Sequence, residues 1–158
     1  MVAHQGCLAV ARYNKAMDKQ YPKIVVGCFI LNAQNELLLC RSYKWPSLWV
    51  VMGGHIEWGE HIKDAVAREV QEELGLTVTF DHVIEVAEFV FPKEFHEQRH
   101  FVGLQCLCRV ANDPTPRLDY DEIQEARYFT LDQALKLPDL LPATRHTIHT
   151  LVHEVKKS

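Results

Sequence analysis

The sequence predicts a single mixed α/β (α+β) domain, and three observations carry that prediction. Apolar strand-like runs occupy both halves of the chain, one stretch between them repeats its apolar residues every four positions, and no internal repeat or low-complexity segment interrupts the alternation. A length of 158 residues suits one domain with a real core, and apolar and charged fractions of 47% and 24% are those of an ordinary globular protein. Residues 1–20 fall outside the pattern and are expected to be an arm or a helix. Residues 21–158 are expected to form the domain.

Taken in order, residues 23–31 and 36–41 are apolar strands joined by Asn32-Ala33-Gln34-Asn35, whose asparagines suit a hairpin turn. Residues 48–52 read as a third short strand, ended by Gly53-Gly54. From about residue 60 to 74, Ile62, Val66, Val70 and Leu74 mark a helix with one buried stripe, and Gly75 supplies its stop. Strand patterns resume over 77–91 and 95–110, and Asp113-Pro114-Thr115-Pro116 marks a loop. A last strand over 125–129 leads into a helix over 131–137, and Leu141-Pro142 opens a final helix to about residue 155.

Composition narrows the function classes. A net charge of -4 argues against gripping a long phosphodiester backbone, which relies on clustered Lys and Arg, but it leaves room for a small anion met by metal ions. Five cysteines, Cys7, Cys28, Cys40, Cys106 and Cys108, lack any C-x-x-C pair, so buried thiols are expected rather than disulfides or a zinc site. No apolar run approaches a membrane span, and residues 2–10 lack the basic stretch of a secretory leader, so a cytoplasmic location and no membrane partner are expected.

The chemistry is concentrated in Gly54-His55-Ile56-Glu57-Trp58-Gly59-Glu60 and, seven residues on, Arg68-Glu69-Val70-Gln71-Glu72-Glu73-Leu74-Gly75-Leu76. Glu69, Glu72 and Glu73 stand at i, i+3 and i+4 and crowd one helical patch. At about 6 Å, each like-charged pair costs roughly 3 kcal/mol at an effective dielectric near 20, and less than about 1 kcal/mol in bulk water. Such a cluster is either fully solvated or matched by a cation.

The spacing resembles the Nudix box of the Nudix hydrolase family, with every specified position filled: Gly54, Glu60, Arg68, Glu69, Val70, Glu72, Glu73, Gly75 and Leu76. The resemblance implies a mixed sheet sandwiched between helices and hydrolysis of a diphosphate linkage by water. It makes Glu69, Glu72 and Glu73 metal ligands, with the Gly53 carbonyl an extra one. Glu69 or Glu73 also acts on the water in this reading, Arg68 orients the carboxylates, and Glu60 braces the loop. Oxygen ligands suit Mg²⁺, with Mn²⁺ an alternative. Gly54 and Gly59 are expected in tight turns that bring backbone close to phosphates.

The family takes its general base from the box or from a later loop, and here Glu122 leads, followed by Glu125, Glu94 and Glu97. Trp45 and Trp49, then Trp58 and Phe91, are candidates to stack a nucleobase, each with core packing as its alternative. Arg41, Lys44 and Arg99 are candidates to meet phosphates. His146, His149 and His153 read as a wet helix face. The marks of the family's coenzyme A, NADH and dinucleoside polyphosphate hydrolases are not evident, and Pro92 resembles the proline of its ADP-ribose hydrolases.

The expected function is thus Mg²⁺-dependent cleavage of an ADP-ribose-like compound, a nucleotide sugar or a nucleoside triphosphate. The alternative is a silent domain that binds a nucleotide as a sensor or regulator. Dimers are common in the family, so a homodimer is one expected assembly.

Overall fold

The computed structural model describes residues 20–112 and 114–155. The expected arm or helix at 1–19 and Cys7 lie outside the described residues. Among the described residues, seven strands and three helices follow in order: β1 (Lys23–Leu31), β2 (Leu37–Ser42), β3 (Trp49–Val50), β4 (Met52–His55), α1 (Ile62–Leu74), β5 (Thr79–Val90), β6 (His100–Arg109), β7 (Ile123–Phe129), α2 (Leu131–Leu135) and α3 (Pro142–Val155).

All seven strands belong to one mixed sheet. β1 is its spine, running parallel to β6 from Lys23↔Phe101 to Leu31↔Arg109 and antiparallel to β4 from Val25↔His55 to Cys28↔Met52. β1 meets β2 only at Leu31↔Leu37, beside a turn in which the Asn32 side chain accepts from the Gln34 and Glu36 amides at 3.0 and 2.8 Å. That contact is the Asn turn chemistry expected from the sequence. β2 then pairs with β3 and β7, and β5 closes the far edge against β6.

The period of two decides which helix each strand residue meets. Val26, Cys28 and Ile30 pack with Leu38 and Cys40 against Val66, Val70 and Leu74 of α1, whereas Phe29, Leu31, Leu37 and Leu39 pack against Ile148 and Leu151 of α3. β1 and β2 are therefore apolar without alternation because both of their faces are covered.

Two expectations change. The single strand expected at 48–52 is two strands, β3 on β2 and β4 on β1, and Gly53-Gly54 lies inside β4 rather than ending a strand. A β-carbon at Gly53 would stand 2.0 Å from the Val26 carbonyl oxygen, so the glycine marks a close backbone approach. The strand expected from residue 95 starts at His100, because residues 91–99 form a loop folded back by the Phe95 amide on the Pro92 carbonyl at 3.3 Å and the His96 amide on the Lys44 carbonyl at 3.0 Å.

Candidate active site

α1 holds its acids by a division of faces. Val66, Val70 and Leu74 anchor one side in the core, which turns Glu69 and Glu73 along the edge of the sheet, where both are buried, and leaves Glu72 exposed. Gly75, at φ +61°, ends the helix in the left-handed region with its amide on the Gln71 carbonyl at 3.0 Å.

Arg68 ties this helix to the loop before it. Its guanidinium donates to both carboxylate oxygens of Glu60 at 2.8 and 2.9 Å, to Glu69 at 2.8 Å, to the His55 carbonyl at 2.9 Å and more weakly to Glu72 at 3.3 Å. Glu60 in turn accepts from the Glu57 amide at 2.9 Å, and the Arg68 and Glu57 bonds hold its carboxyl down at about 2. Gly59, at φ +82°, makes the turn expected of it. Gly54 is not in a turn: it pairs with Val26 in β4, and a β-carbon there would stand 2.2 Å from the Glu69 carboxylate. The missing side chain makes room for Glu69.

A second loop completes the cluster. The amides of Arg117 and Asp119 donate to the Leu74 and Glu73 carbonyls at 2.8 and 2.9 Å, strapping residues 117–122 to the open end of α1. Glu122 is thereby brought against Glu73, and Lys44 pairs with Glu122 while standing 3.7 Å from Glu73. Burial pushes Glu69 up, and burial together with the Glu122 and Glu69 carboxylates pushes Glu73 up to about 8, against the pull of Lys44. Glu122 moves the other way: burial would raise it, but its hydrogen bonds from Lys44 and Glu73 outweigh that and hold it down.

Beside Glu73 a small pocket shares Lys44, Trp45 and Gly53 with the lining of a larger cleft, which has a cavity volume of about 210 Å³. Aromatic rings form its wall in a chain of tilted and edge-to-face contacts. Trp45 lies 5.9 Å from Phe89 and 4.8 Å from Phe95, and Phe95 lies 5.1 Å from Phe101. Carboxylates at one end and rings at the other suit a polyanion that carries a planar group.

The NUDIX domain profile matches residues 21–151. The chain belongs to the Nudix hydrolase family. It is 30% identical over 135 residues to the NAD-capped RNA hydrolase NudC of Pseudomonas aeruginosa, covering 82% of this chain and 44% of that protein. The chain spans less than half the length of such curated relatives. A MutT protein of Methanosarcina mazei Go1 superposes with a TM-score of 0.70 at 25% identity over 88% of this chain and 99% of that one. An Ap4A hydrolase of C. elegans gives 0.71 at 20% identity over 86% and 99%, a likeness of fold alone.

Within this Nudix domain, Glu60, Glu69, Glu72, Glu73 and Glu122 are five acids that share two cations, Arg68 and Lys44. The surplus of negative charge and the oxygen-only donors fit a hard divalent cation. Among the described residues no three of these side chains converge on one point, and Arg68 and Lys44 stand among them, 2.8 Å from Glu69 and 3.7 Å from Glu73.

Several sequence candidates lie elsewhere. Arg41, expected to meet phosphates, pairs with Asp139, stands 3.9 Å from Glu125 and lies 4.7 Å over the Trp49 ring. Trp49 is core, packed on Phe129 at 5.1 Å, and does not line the cleft. Trp58 and Phe91 are exposed, as is Glu94, and Glu125 is engaged by Arg41 and by Arg127 at 2.6 Å. Glu97 lines the cleft, paired with Arg99. His146, His149 and His153 are exposed on α3. The cysteines Cys28, Cys40, Cys106 and Cys108 are free and buried.

Sequence reasoning missed Phe89, Phe95, Phe101 and Gln105. Phe89 and Phe101 face one another only through the β5–β6 register, which the sequence does not display.

Proposed function

We propose that this Nudix domain is a Mg²⁺-dependent pyrophosphohydrolase that cleaves the diphosphate linkage of a nucleotide derivative by attack of water. The observation that carries the reading is the pair of buried carboxylates, Glu69 and Glu73, left without enough protein cations beside a cleft lined with rings. Glu69, Glu72 and Glu73, with the Gly53 carbonyl, are the groups that would hold the ion. When bound, it neutralises phosphate charge and lowers the pKa of water.

The chain's own residues supply the rest. Arg68 fixes the Glu69 carboxylate and ties it through Glu60 to the loop that begins at Gly54. Lys44, between the acids and the rings, meets the phosphate chain. Glu122 accepts the proton of the attacking water at its carboxylate, since Lys44 keeps it ionised. Trp45 and Phe95, packed edge to face on each other, offer the planar group an apolar wall.

The relatives named for NAD-capped RNA and Ap4A both point to nucleotides joined through phosphates. The net charge of -4 favours a small nucleotide over a long RNA chain. No described helix is long and apolar enough to cross a membrane, and four buried free thiols accord with a reducing, cytoplasmic setting. A screen of nucleoside triphosphates, ADP-ribose and nucleotide sugars with Mg²⁺, read by phosphate release after a coupled phosphatase, tests the reading. Turnover of one group names the substrate class, and binding without turnover of any supports a silent sensor.

A further inference from the structure

A buried side-chain amide lines the cleft without a hydrogen-bonding task among the described residues. Gln105, on β6, is 6% exposed and lines the cleft, yet among the described residues its carboxamide has no hydrogen-bond partner. Buried amides are ordinarily satisfied, so the exception calls for a ligand or a water. Its atoms are not sealed off from the cleft.

The surroundings hold that amide in one place. Gly27 lies directly opposite on β1, and Gly103 is two residues away on the same face of β6. A β-carbon at Gly27 would stand 2.4 Å from the Gln105 Oε1, and one at Gly103 would stand 3.0 Å from Nε2. The two glycines clear the space that the carboxamide fills, and it offers one acceptor and one donor group beside the rings of Trp45, Phe89, Phe95 and Phe101.

We propose that Gln105 reads the base of the substrate and that this base is adenine, an assignment that rests on the pyrophosphohydrolase reading for the site of the phosphates. Adenine presents its 6-amino donor and N7 acceptor side by side, which a carboxamide meets with two hydrogen bonds. The corresponding edge of guanine carries two acceptors and suits Arg or Lys; of the cations lining the cleft, Lys44 serves Glu122 and the phosphates, Arg99 pairs with Glu97, and Lys23 stands four residues along β1 from the Gly27 that faces the carboxamide. Pyrimidines have less ring to stack on an extended aromatic wall, and they, like guanine, would meet a carboxamide with two hydrogen bonds only through the Watson–Crick edge, so the preference among bases is what the test reads. Thr144 of α3, 3% exposed and also without a partner among the described residues, adds a second neutral polar group to the lining.

The test compares ADP-, GDP-, UDP- and CDP-glucose as substrates with Mg²⁺, and AMP, GMP, UMP and CMP as ligands of metal-free protein through quenching of tryptophan fluorescence. The wild type is expected to turn over ADP-glucose with kcat/KM at least about 10-fold above the others and to bind AMP with a similar preference. Gln105→Leu is expected to lower kcat/KM for ADP-glucose by about 10- to 100-fold, and to leave the other three within about 3-fold. Gln105→Glu, which keeps the size and one acceptor, provides the same comparison if the leucine variant does not fold. Turnover without base preference, or a wild type that favours another base, overturns the assignment to Gln105 and adenine while hydrolysis stands. Selective binding of AMP with no turnover of any diphosphate upholds the base assignment and sinks the hydrolytic reading.

Discussion

The carboxylate of Glu69 occupies the space in which Gly54 would carry a side chain, 2.2 Å from an ideal β-carbon. The glycine that opens the box and the first of its three clustered glutamates are therefore one structural unit, with fourteen residues of chain between them. Gly54→Ala must displace Glu69 or open β4 from α1. A loss of about 10²-fold in kcat is expected from a misplaced ligand, with a stability loss of about 1–3 kcal/mol from overpacking. Steady-state kinetics and a melting curve measure both, and wild-type kcat in this variant would show that the contact is dispensable.

Glu122 and Glu69 separate by role. Glu69→Gln is expected to lower kcat by at least about 10³-fold and to weaken Mg²⁺ binding, whereas Glu122→Gln is expected to lower kcat by about 10²-fold with Mg²⁺ affinity nearly unchanged. Full kcat in Glu122→Gln would remove the late loop from the chemistry.

The helices α1 and α3 were legible from their apolar period and β1 as a bounded apolar run, the sandwiched mixed sheet followed from the family resemblance rather than from any period, and the box was legible because its residues are close in sequence. The assembly around Glu73 was only partly so. Glu122 could be named as a candidate, but its approach depends on Arg117 and Asp119 satisfying the end of α1, a tertiary event. Arg41 shows the reverse case: a cation two residues from the cleft-lining stretch looks available until Asp139, 98 residues later in sequence, claims it. Gly53 and Gly54 signal a turn and a close approach equally well in sequence, and only the β1–β4 pairing distinguishes them.

Glu73 predicts a stability effect of definite sign. Its folded value of about 8 stands above the ordinary 4.5, so the folded protein keeps a proton that the unfolded chain releases, and stability falls as pH rises between about 5 and 8. Glu73→Gln removes that penalty and is expected to stabilise the metal-free protein at pH 8 by about 1–2 kcal/mol, with little effect at pH 5. Chemical denaturation at the two pH values checks this, and a variant destabilised at pH 8 would contradict it. Activity is expected to be lost in the same variant.

Arg68 is expected to resist its conservative replacement. The ammonium of lysine cannot make the paired contacts to Glu60 while also reaching Glu69 and the His55 carbonyl. Arg68→Lys should weaken Mg²⁺ affinity or activity by about 10- to 100-fold, as loss of a group that orients ligands does. Calorimetric titration with Mg²⁺ measures the first directly, and an unchanged isotherm together with unchanged kcat would deny Arg68 its orienting role.

The most direct test of the acid cluster as a cation site serving hydrolysis is turnover of the nucleotide panel as Mg²⁺ is titrated into chelator-treated protein. Phosphate release that is absent without the ion, saturates with it and disappears in Glu69→Gln is the predicted result. Turnover unaffected by chelation, or none on any diphosphate-containing nucleotide at saturating Mg²⁺ or Mn²⁺, would contradict the account.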